Sequence, residues 1–519
     1  MPTVKIPKDI LRVILAAVYF LASTVFTVYV LMSQLLPTKY AVLLILTVMV
    51  LLAAVLSLLL TKKKTWKLLT AAALVLISFG VYIVGTLVLR DVNRLIDKVS
   101  TSLEENDYSV IVMNGSSYQT AEEVDSVNVA LVNDECQAVL TQLLPNNKDY
   151  ALRIYSNYPD LVEALYDGRE ELIFIDEAFR EIIRLTRSGF NTDTRVLAST
   201  NPDVLTGLTA GMENDYINLP DVTDGDDEPE GTESTTTTGE RIERIPRRDP
   251  ERGEYTDYGS RLTSGAEPFT MIISGMDCYG DITRKSNSDV NIVLAVNPQK
   301  NELFMVPVPR DAYVTLAETG YKDKLTHAGS LGVEATKKSV ANAMGMPIDY
   351  YVKVNFSTLE ELVDLLGGIT IDNPYEFTSA YHYPVGQLRV DGKRALMYSR
   401  ERYHLPRGDF DRGMNQTRVI RGIINEVIKP YQLTRFGALL EQLSASFITD
   451  LPDHVIRAII QEQIDNGGTW TVNATSIKAT GQMGLPSYMM PGWNLYFAIL
   501  NEESVAEARN KLLAVLEDD

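Results

Sequence analysis

The segment 398–416 reads Tyr-Ser-Arg-Glu-Arg-Tyr-His-Leu-Pro-Arg-Gly-Asp-Phe-Asp-Arg-Gly-Met-Asn-Gln and brings together Arg400, Arg402, Arg407 and Arg412. A guanidinium is a planar, permanently charged fork that matches phosphate oxygens. Arg400 and Arg402 stand two apart, so on an extended segment they share a face. Gly408-Asp409 reads as a helix start ahead of apolar Val419, Ile420, Ile423, Ile424 and Ile428. On that helix Asp409, Arg412 and Gln416 would share one face. Convergent arginines in an acidic protein imply a bound phosphate or pyrophosphate; the plainer alternative is a solvated helix start with surface ion pairs.

Two carboxylates complement them. Asp277 ends a strand-like run over 269–274, and Asp289 precedes another over 290–296. Residues 297–301 form a hairpin connection to a third run over 303–308. A hairpin returns the chain to its starting edge, so Asp289 should meet Pro309-Arg310-Asp311, with the Asp277 loop opening there too. Hard oxygen ligands without nearby His or Cys favour Mg²⁺ or Mn²⁺ over zinc. A metal with several arginines is the construction that phosphoryl transfer uses. No nucleophilic triad is present, and His327, His382, His404 and His454 match no metal-ligand spacing. Lys338, on a helix expected over 333–344, points toward phosphate or into solvent.

These groups need a scaffold. The chain has 519 residues and a formal net charge of −20, which excludes nucleic acid as the main partner. Apolar runs at 13–37, 41–60 and 68–89 are each long enough to cross a bilayer as a helix. Lys5, Lys8 and Arg12 precede the first run, and Lys62, Lys63, Lys64 and Lys67 join the second and third. The positive-inside rule then puts the amino terminus in the cytoplasm and everything after residue 90 outside. Residues 91–218 begin with an amphipathic connector and alternate strand-like with helix-like runs, as a small α/β accessory domain does. Residues 219–262 form an acidic, Thr-rich linker predicted to be disordered. Residues 263–519 read as a second α/β domain, a mixed sheet flanked by helices, with a capping box expected at Ser357–Glu360 and Asp391 capping the next helix. Cys136 and Cys278 are the only cysteines and define no disulfide framework.

Taken together, Ser274-Gly275-Met276-Asp277, Ser288-Asp289, Val308-Pro309-Arg310-Asp311, Asp323-Lys324-Leu325-Thr326-His327, Ser399-Arg400-Glu401-Arg402 and Gly408-Asp409 through Gln416 resemble the LytR-CpsA-Psr family, with three spans and an accessory domain as in its capsule-associated branch. The resemblance implies a membrane-bound phosphotransferase. It would move a capsular or teichoic-acid-like glycopolymer from a polyprenyl-pyrophosphate carrier to peptidoglycan. It implies Asp277 and Asp289 as ligands of Mg²⁺, and Arg310, Arg400, Arg402, Arg412 and Gln416, with Lys338, as pyrophosphate ligands. Asp409 would orient Arg412 or act as general base. One departure stands out: Asn287 occupies a position where the family usually has Arg, so that either Arg284 or Lys285 compensates or the enzyme is weakened or takes a different substrate. A receptor that binds lipid-linked polymer without turnover, and a pyrophosphate hydrolase, are the competing functions.

Overall fold

The computed structural model describes residues 8–60, 65–99, 104–132, 137–148, 151–201, 204, 250–261, 265–276, 279–429, 432 and 446–517. Asp277, Cys136, Cys278, the linker through residue 249 and a helix expected over 438–443 lie outside the described residues.

The apolar runs form helices Lys8–Ser33, Thr38–Leu60 and Thr65–Val99. Their spans, Arg12–Ser33, Thr38–Leu58 and Leu69–Arg94, have mean hydropathies of 2.2, 3.0 and 2.4, and at 1.5 Å per residue each exceeds ~30 Å. The few polar groups inside the bundle satisfy one another: Tyr19 donates to Ser78 at 3.1 Å and Ser23 to Tyr82 at 3.3 Å. The third helix runs on to Val99, through most of the expected connector.

The accessory unit is a five-stranded sheet in the order Leu152–Ile154, Val129–Leu131, Leu172–Asp176, Tyr108–Met113, Thr194–Ser199. The last strand has no counterpart among the sequence expectations, because its buried and part-exposed positions do not alternate. Asn157 caps the helix Tyr158–Tyr166 by accepting from the Asp160 N–H at 2.9 Å. Asp176, at the end of its strand, is poorly solvated. Burial pushes its carboxyl up to about 6, against the pull of the Ala178 N–H and Lys285 and with help from Glu177 and Asp107. A carboxyl raised in the folded state opposes folding increasingly as pH climbs from its unfolded value near 4 to about 6. Asp176→Asn keeps an acceptor for Ala178 and removes the charge. It is expected to stabilise the chain by ~1–2 kcal/mol at pH 7.5 and not at all at pH 4, which thermal unfolding at the two pH values would check.

The second domain is built on six strands in the order Ile448–Thr449, Tyr350–Val354, Phe269–Met276, Ser288–Asn297, Glu302–Pro307, Thr471–Ala474. The sheet is mixed: Tyr350–Val354 runs parallel to Phe269–Met276, and Thr471–Ala474 parallel to Glu302–Pro307, while the central pairs are antiparallel. The strand Ser288–Asn297 shows why its apolar run is continuous. Val293 and Ala295 face one core with Val340 and Leu512. Ile292, Leu294 and Val296 face another, with Ile420, Ile424 and Val455. Helices Val333–Met344 and Glu502–Leu516 thus cover one face, and Asp409–Val427 and Asp453–Asn466 the other. A third cluster joins helices Phe356–Leu365 and Gly392–Arg400 to the antiparallel pair Ile369–Asn373 and Gly386–Val390.

The capping box lies earlier than expected. Asn355, not Ser357, is the cap: its side chain accepts from the Thr358 N–H at 3.0 Å while Thr358 Oγ1 accepts from the Asn355 N–H at 3.2 Å. Asparagine caps as well as serine does, so the helix begins at Phe356. Asp391 caps the next helix as expected, accepting from the Arg394 N–H.

The helix Asp453–Asn466 seats this domain on the membrane helices. Arg457, 9 % exposed, donates to the Ser33 carbonyl at 2.9 Å and also to Asn93. Lys39 pairs with Asp465 at 2.5 Å, and Leu35, Val92 and Ile96 pack with Ile456 and Ile460.

Candidate anion-binding cleft

The hairpin delivers what its geometry requires. Ile292 pairs with Pro307, so the start of one strand and the end of the next share an edge. There Asp289 Oδ2 accepts from Arg310 Nη1 at 2.6 Å, and Oδ1 accepts from Thr326 Oγ1 at 2.7 Å. Burial raises the Asp289 carboxyl, but Arg310, then Arg412, and the Thr326 and Arg310 hydrogen bonds outweigh it and hold the group far below the usual range. Behind this pair Lys324 donates to Asp311 at 2.8 Å, and Arg310 Nε lies 3.7 Å from Asp311.

The turn Asp323–His327 explains itself from below. Asp323 is fully buried and accepts from Ser487 at 2.9 Å and from the Met489 N–H at 2.6 Å, with His327 Nδ1 at 2.9 Å. Burial raises its carboxyl, and His327 followed by the backbone donors brings it below the ordinary value. Anchored there, the turn extends Lys324 to Asp311 and Thr326 to Asp289. His327 thus serves to hold the buried Asp323 in place.

The helix Asp409–Val427 closes the cleft. Gly408, at φ 49°, makes the turn into it. At Gly413 a Cβ would stand 3.0 Å from the Pro307 ring, so the helix lies directly on the strand end. Asp409, Arg412 and Gln416 consequently line one side of a narrow cleft, with Asp289 and Arg310 on the other. Arg412 Nη2 is 2.5 Å from Asp409 Oδ1, with the Arg412 side chain 11 % exposed. Phe410, Ser476 and Ile477 also line it and were missed by sequence reasoning. Ser476 arrives only because Thr471–Ala474 pairs with Glu302–Pro307, a contact no local pattern announces.

The other expected phosphate ligands lie elsewhere. Arg400 and Arg402 do not share an extended face: Arg400 is the last helical residue, and the chain turns to extended geometry only at Glu401. Arg400 lies over the Phe356 ring at 4.5 Å, and Arg402 donates to the Tyr403 hydroxyl at 2.7 Å. Neither lines the cleft; Gln416, which does, donates to the Ser399 carbonyl at 3.4 Å, and Asn415 donates to the Tyr398 carbonyl at 3.3 Å. Arg407 is committed to Asp411 at 2.6 Å. Lys338 is absent from the lining and sits 3.9 Å from Glu318 and 4.0 Å from Glu334, because its helix turns it outward. The compensation expected for Asn287 is not formed. Arg284 and Lys285 line a different cleft, against Glu105, Asp107 and Asp176 of the accessory side, while Asn287 accepts from Ser330 at 3.1 Å.

No group of three or more His, Cys, Asp or Glu side chains able to hold a metal exists among the described residues. The cleft offers the carboxyl oxygens of Asp289 and Asp409 without imidazole or thiolate. That donor set fits a magnesium-like ion completing its shell from water and phosphate, and does not fit zinc. Two guanidiniums and an ionised carboxylate in a partly enclosed cleft can hold a multi-oxygen anion together with a cation.

A mixed sheet clothed by helices, opening at one edge into an arginine-lined cleft, defines the class as an α/β domain with a basic cleft at its sheet edge. The chain belongs to the LytR_cpsA_psr family, whose model matches residues 232–511. Among its relatives is the polyisoprenyl-teichoic acid–peptidoglycan teichoic acid transferase TagU of Halalkalibacterium halodurans, 30% identical over 287 residues, covering 54% of this chain and 89% of that protein. The protein of the same name from Bacillus subtilis is 37% identical over 188 residues, 36% of this chain and 60% of the relative. The crystal structure of B. subtilis TagU aligns at 29% identity over 49% of this chain and 98% of that one, with a TM-score of 0.39.

Proposed function

We propose that this protein transfers a glycopolymer from a polyprenyl-pyrophosphate carrier to peptidoglycan, at the outer face of the membrane that its three helices span. The observation that carries it is the convergence of Asp289, Arg310, Asp409, Arg412 and Gln416 on one cleft in a chain related to named teichoic acid transferases. Arg310 and Arg412 would neutralise the diphosphate oxygens, and Asp409 would hold the Arg412 guanidinium in its orientation. Without ligand Arg310 is paired to Asp289; with the diphosphate bound it would turn to phosphate oxygens, freeing Asp289. Asp277 and Asp289 would hold Mg²⁺, which when bound would draw charge from the pyrophosphate. The acceptor hydroxyl oxygen would then bond to the glycan-side phosphorus as the bridging P–O bond breaks, with its proton ending on the polyprenyl phosphate that leaves. Arg400 and Arg402, next in the chain to the Ser399 that Gln416 holds, would meet the donor as it enters.

The topology follows the basic residues: amino terminus and the 61–67 loop inside, the two domains outside. Arg457 of the helix Asp453–Asn466 reaches the Ser33 carbonyl and Lys39 reaches Asp465, so the 33–38 loop and the second domain share one side, as a chain with three spans requires.

The test is the full chain in nanodiscs with a polyprenyl-pyrophosphate-linked glycan, Mg²⁺ and peptidoglycan. Released polyprenyl phosphate with glycan joined to the wall polymer is the expected result. Release independent of peptidoglycan would make it a hydrolase, and saturable binding without release a receptor; either would overturn the transferase reading.

A further inference from the structure

We infer that Glu104, in the short segment between the third membrane helix and the accessory sheet, is a positioning residue for the cleft: it locks the backbone that delivers Asp289. This rests on reading the cleft as the site of transfer. Glu104 uses both carboxylate oxygens on the second domain. Oε1 accepts from Lys353 Nζ at 2.6 Å, and Oε2 accepts from the Val333 N–H at 2.8 Å, the first residue of its helix. The Lys353 side chain is 3 % exposed, and its ammonium also donates to the Arg284 carbonyl at 2.5 Å. The neighbouring residues repeat the grip. The Glu105 N–H donates to the Thr283 carbonyl at 2.9 Å, and Asp107 lies 3.5 Å from Arg284.

What is gripped leads straight into the cleft. Residues 283–284 begin the run that ends in Asp289. Its middle is pressed on Gly329, where a Cβ would fall 2.3 Å from the Ser286 carbonyl oxygen and 2.4 Å from the Ser288 nitrogen. Lys353 is in register with Ser274, whose hydroxyl is 2.8 Å from that of Ser288. One end of the run is thus fixed by the Thr326–Ser330 turn, and the other by a segment that belongs to the membrane stem. Glu104 is a carboxylate counter-ion to this buried ammonium. Without it the ammonium loses that hold and can shift, which loosens the anchor on the Arg284 carbonyl. Displacements of about 1 Å at reacting groups are enough to slow chemistry strongly.

The test uses the full chain in nanodiscs, comparing wild type, Glu104→Gln and the double variant Glu104→Gln/Lys353→Met. Turnover of a polyprenyl-pyrophosphate donor and hydrogen exchange of residues 283–289 are both read. Glu104→Gln is expected to lower kcat by about 10- to 100-fold, the range for groups that orient primary contacts, with little change in KM and faster exchange in 283–289. The double variant also removes the buried ammonium, so it recovers thermal stability but not kcat. Recovery of kcat together with stability would show a merely structural role, and unchanged exchange in the single variant would show that Glu104 holds nothing; either overturns the inference. A wild-type chain that turns over no donor would sink the transferase reading instead, and the exchange arm alone would then decide the role of Glu104.

Discussion

Arg412→Ala is expected to reduce kcat/KM for polyprenyl-pyrophosphate turnover by about 10²- to 10³-fold, the loss typical of removing one preorganised donor to developing charge. Arg412 is nearly enclosed, 2.5 Å from Asp409, and its charge helps keep Asp289 ionised. Its removal therefore deletes a phosphate ligand and leaves the cleft with two carboxylates facing Arg310. Charge at this point repels the donor instead of attracting it. Arg412→Lys should recover only part of the rate, because an ammonium keeps the charge and loses the fork. The measurement is the rate of polyprenyl phosphate release at saturating and at limiting donor. A rate within threefold of wild type would remove Arg412 from the site.

The second large effect is on stability. Asp349 is fully enclosed and accepts from the Arg261 N–H at 2.6 Å and Arg261 Nη2 at 2.9 Å, and from the Thr270 N–H and hydroxyl, each at 2.8 Å. It thereby fixes the chain just ahead of the first strand of the sheet to the start of Tyr350–Val354. Arg261 is 48 % exposed and can return to water; the Thr270 donors are buried and cannot. Asp349→Ala is expected to cost about 3–5 kcal/mol, mostly from buried donors left without an acceptor. In a chain of this size that is a fall on the order of 10 °C in the unfolding midpoint. A fall of under ~3 °C in thermal unfolding would show that water or a neighbour replaces the carboxylate.

Local rules fixed the parts whose causes are local. The three apolar runs can satisfy their backbone only as helices across a membrane, and the helix Val333–Met344 was readable to its ends. The meeting of Asp289 and Arg310 followed from hairpin geometry, and the shared face of Asp409, Arg412 and Gln416 from helical period. Arg400 and Arg402 show where such rules stop. Their spacing is equally compatible with a strand or a helix end, and the choice was made by Asn415 and Gln416 reaching the carbonyls of Tyr398 and Ser399. Lys338 failed for a related reason: periodicity names a face but not what that face meets.

The sequence by itself determined the membrane helices, the α/β class and the identity of the charged groups, because these depend on neighbours along the chain. Tertiary structure alone decided which of those groups share a cleft, that Arg284 and Lys285 face the accessory unit, and that Glu104 reaches Lys353. Most of those contacts join residues far apart along the chain, and they exist only once the sheet order and the seating of each helix have been settled by the packing of two apolar faces.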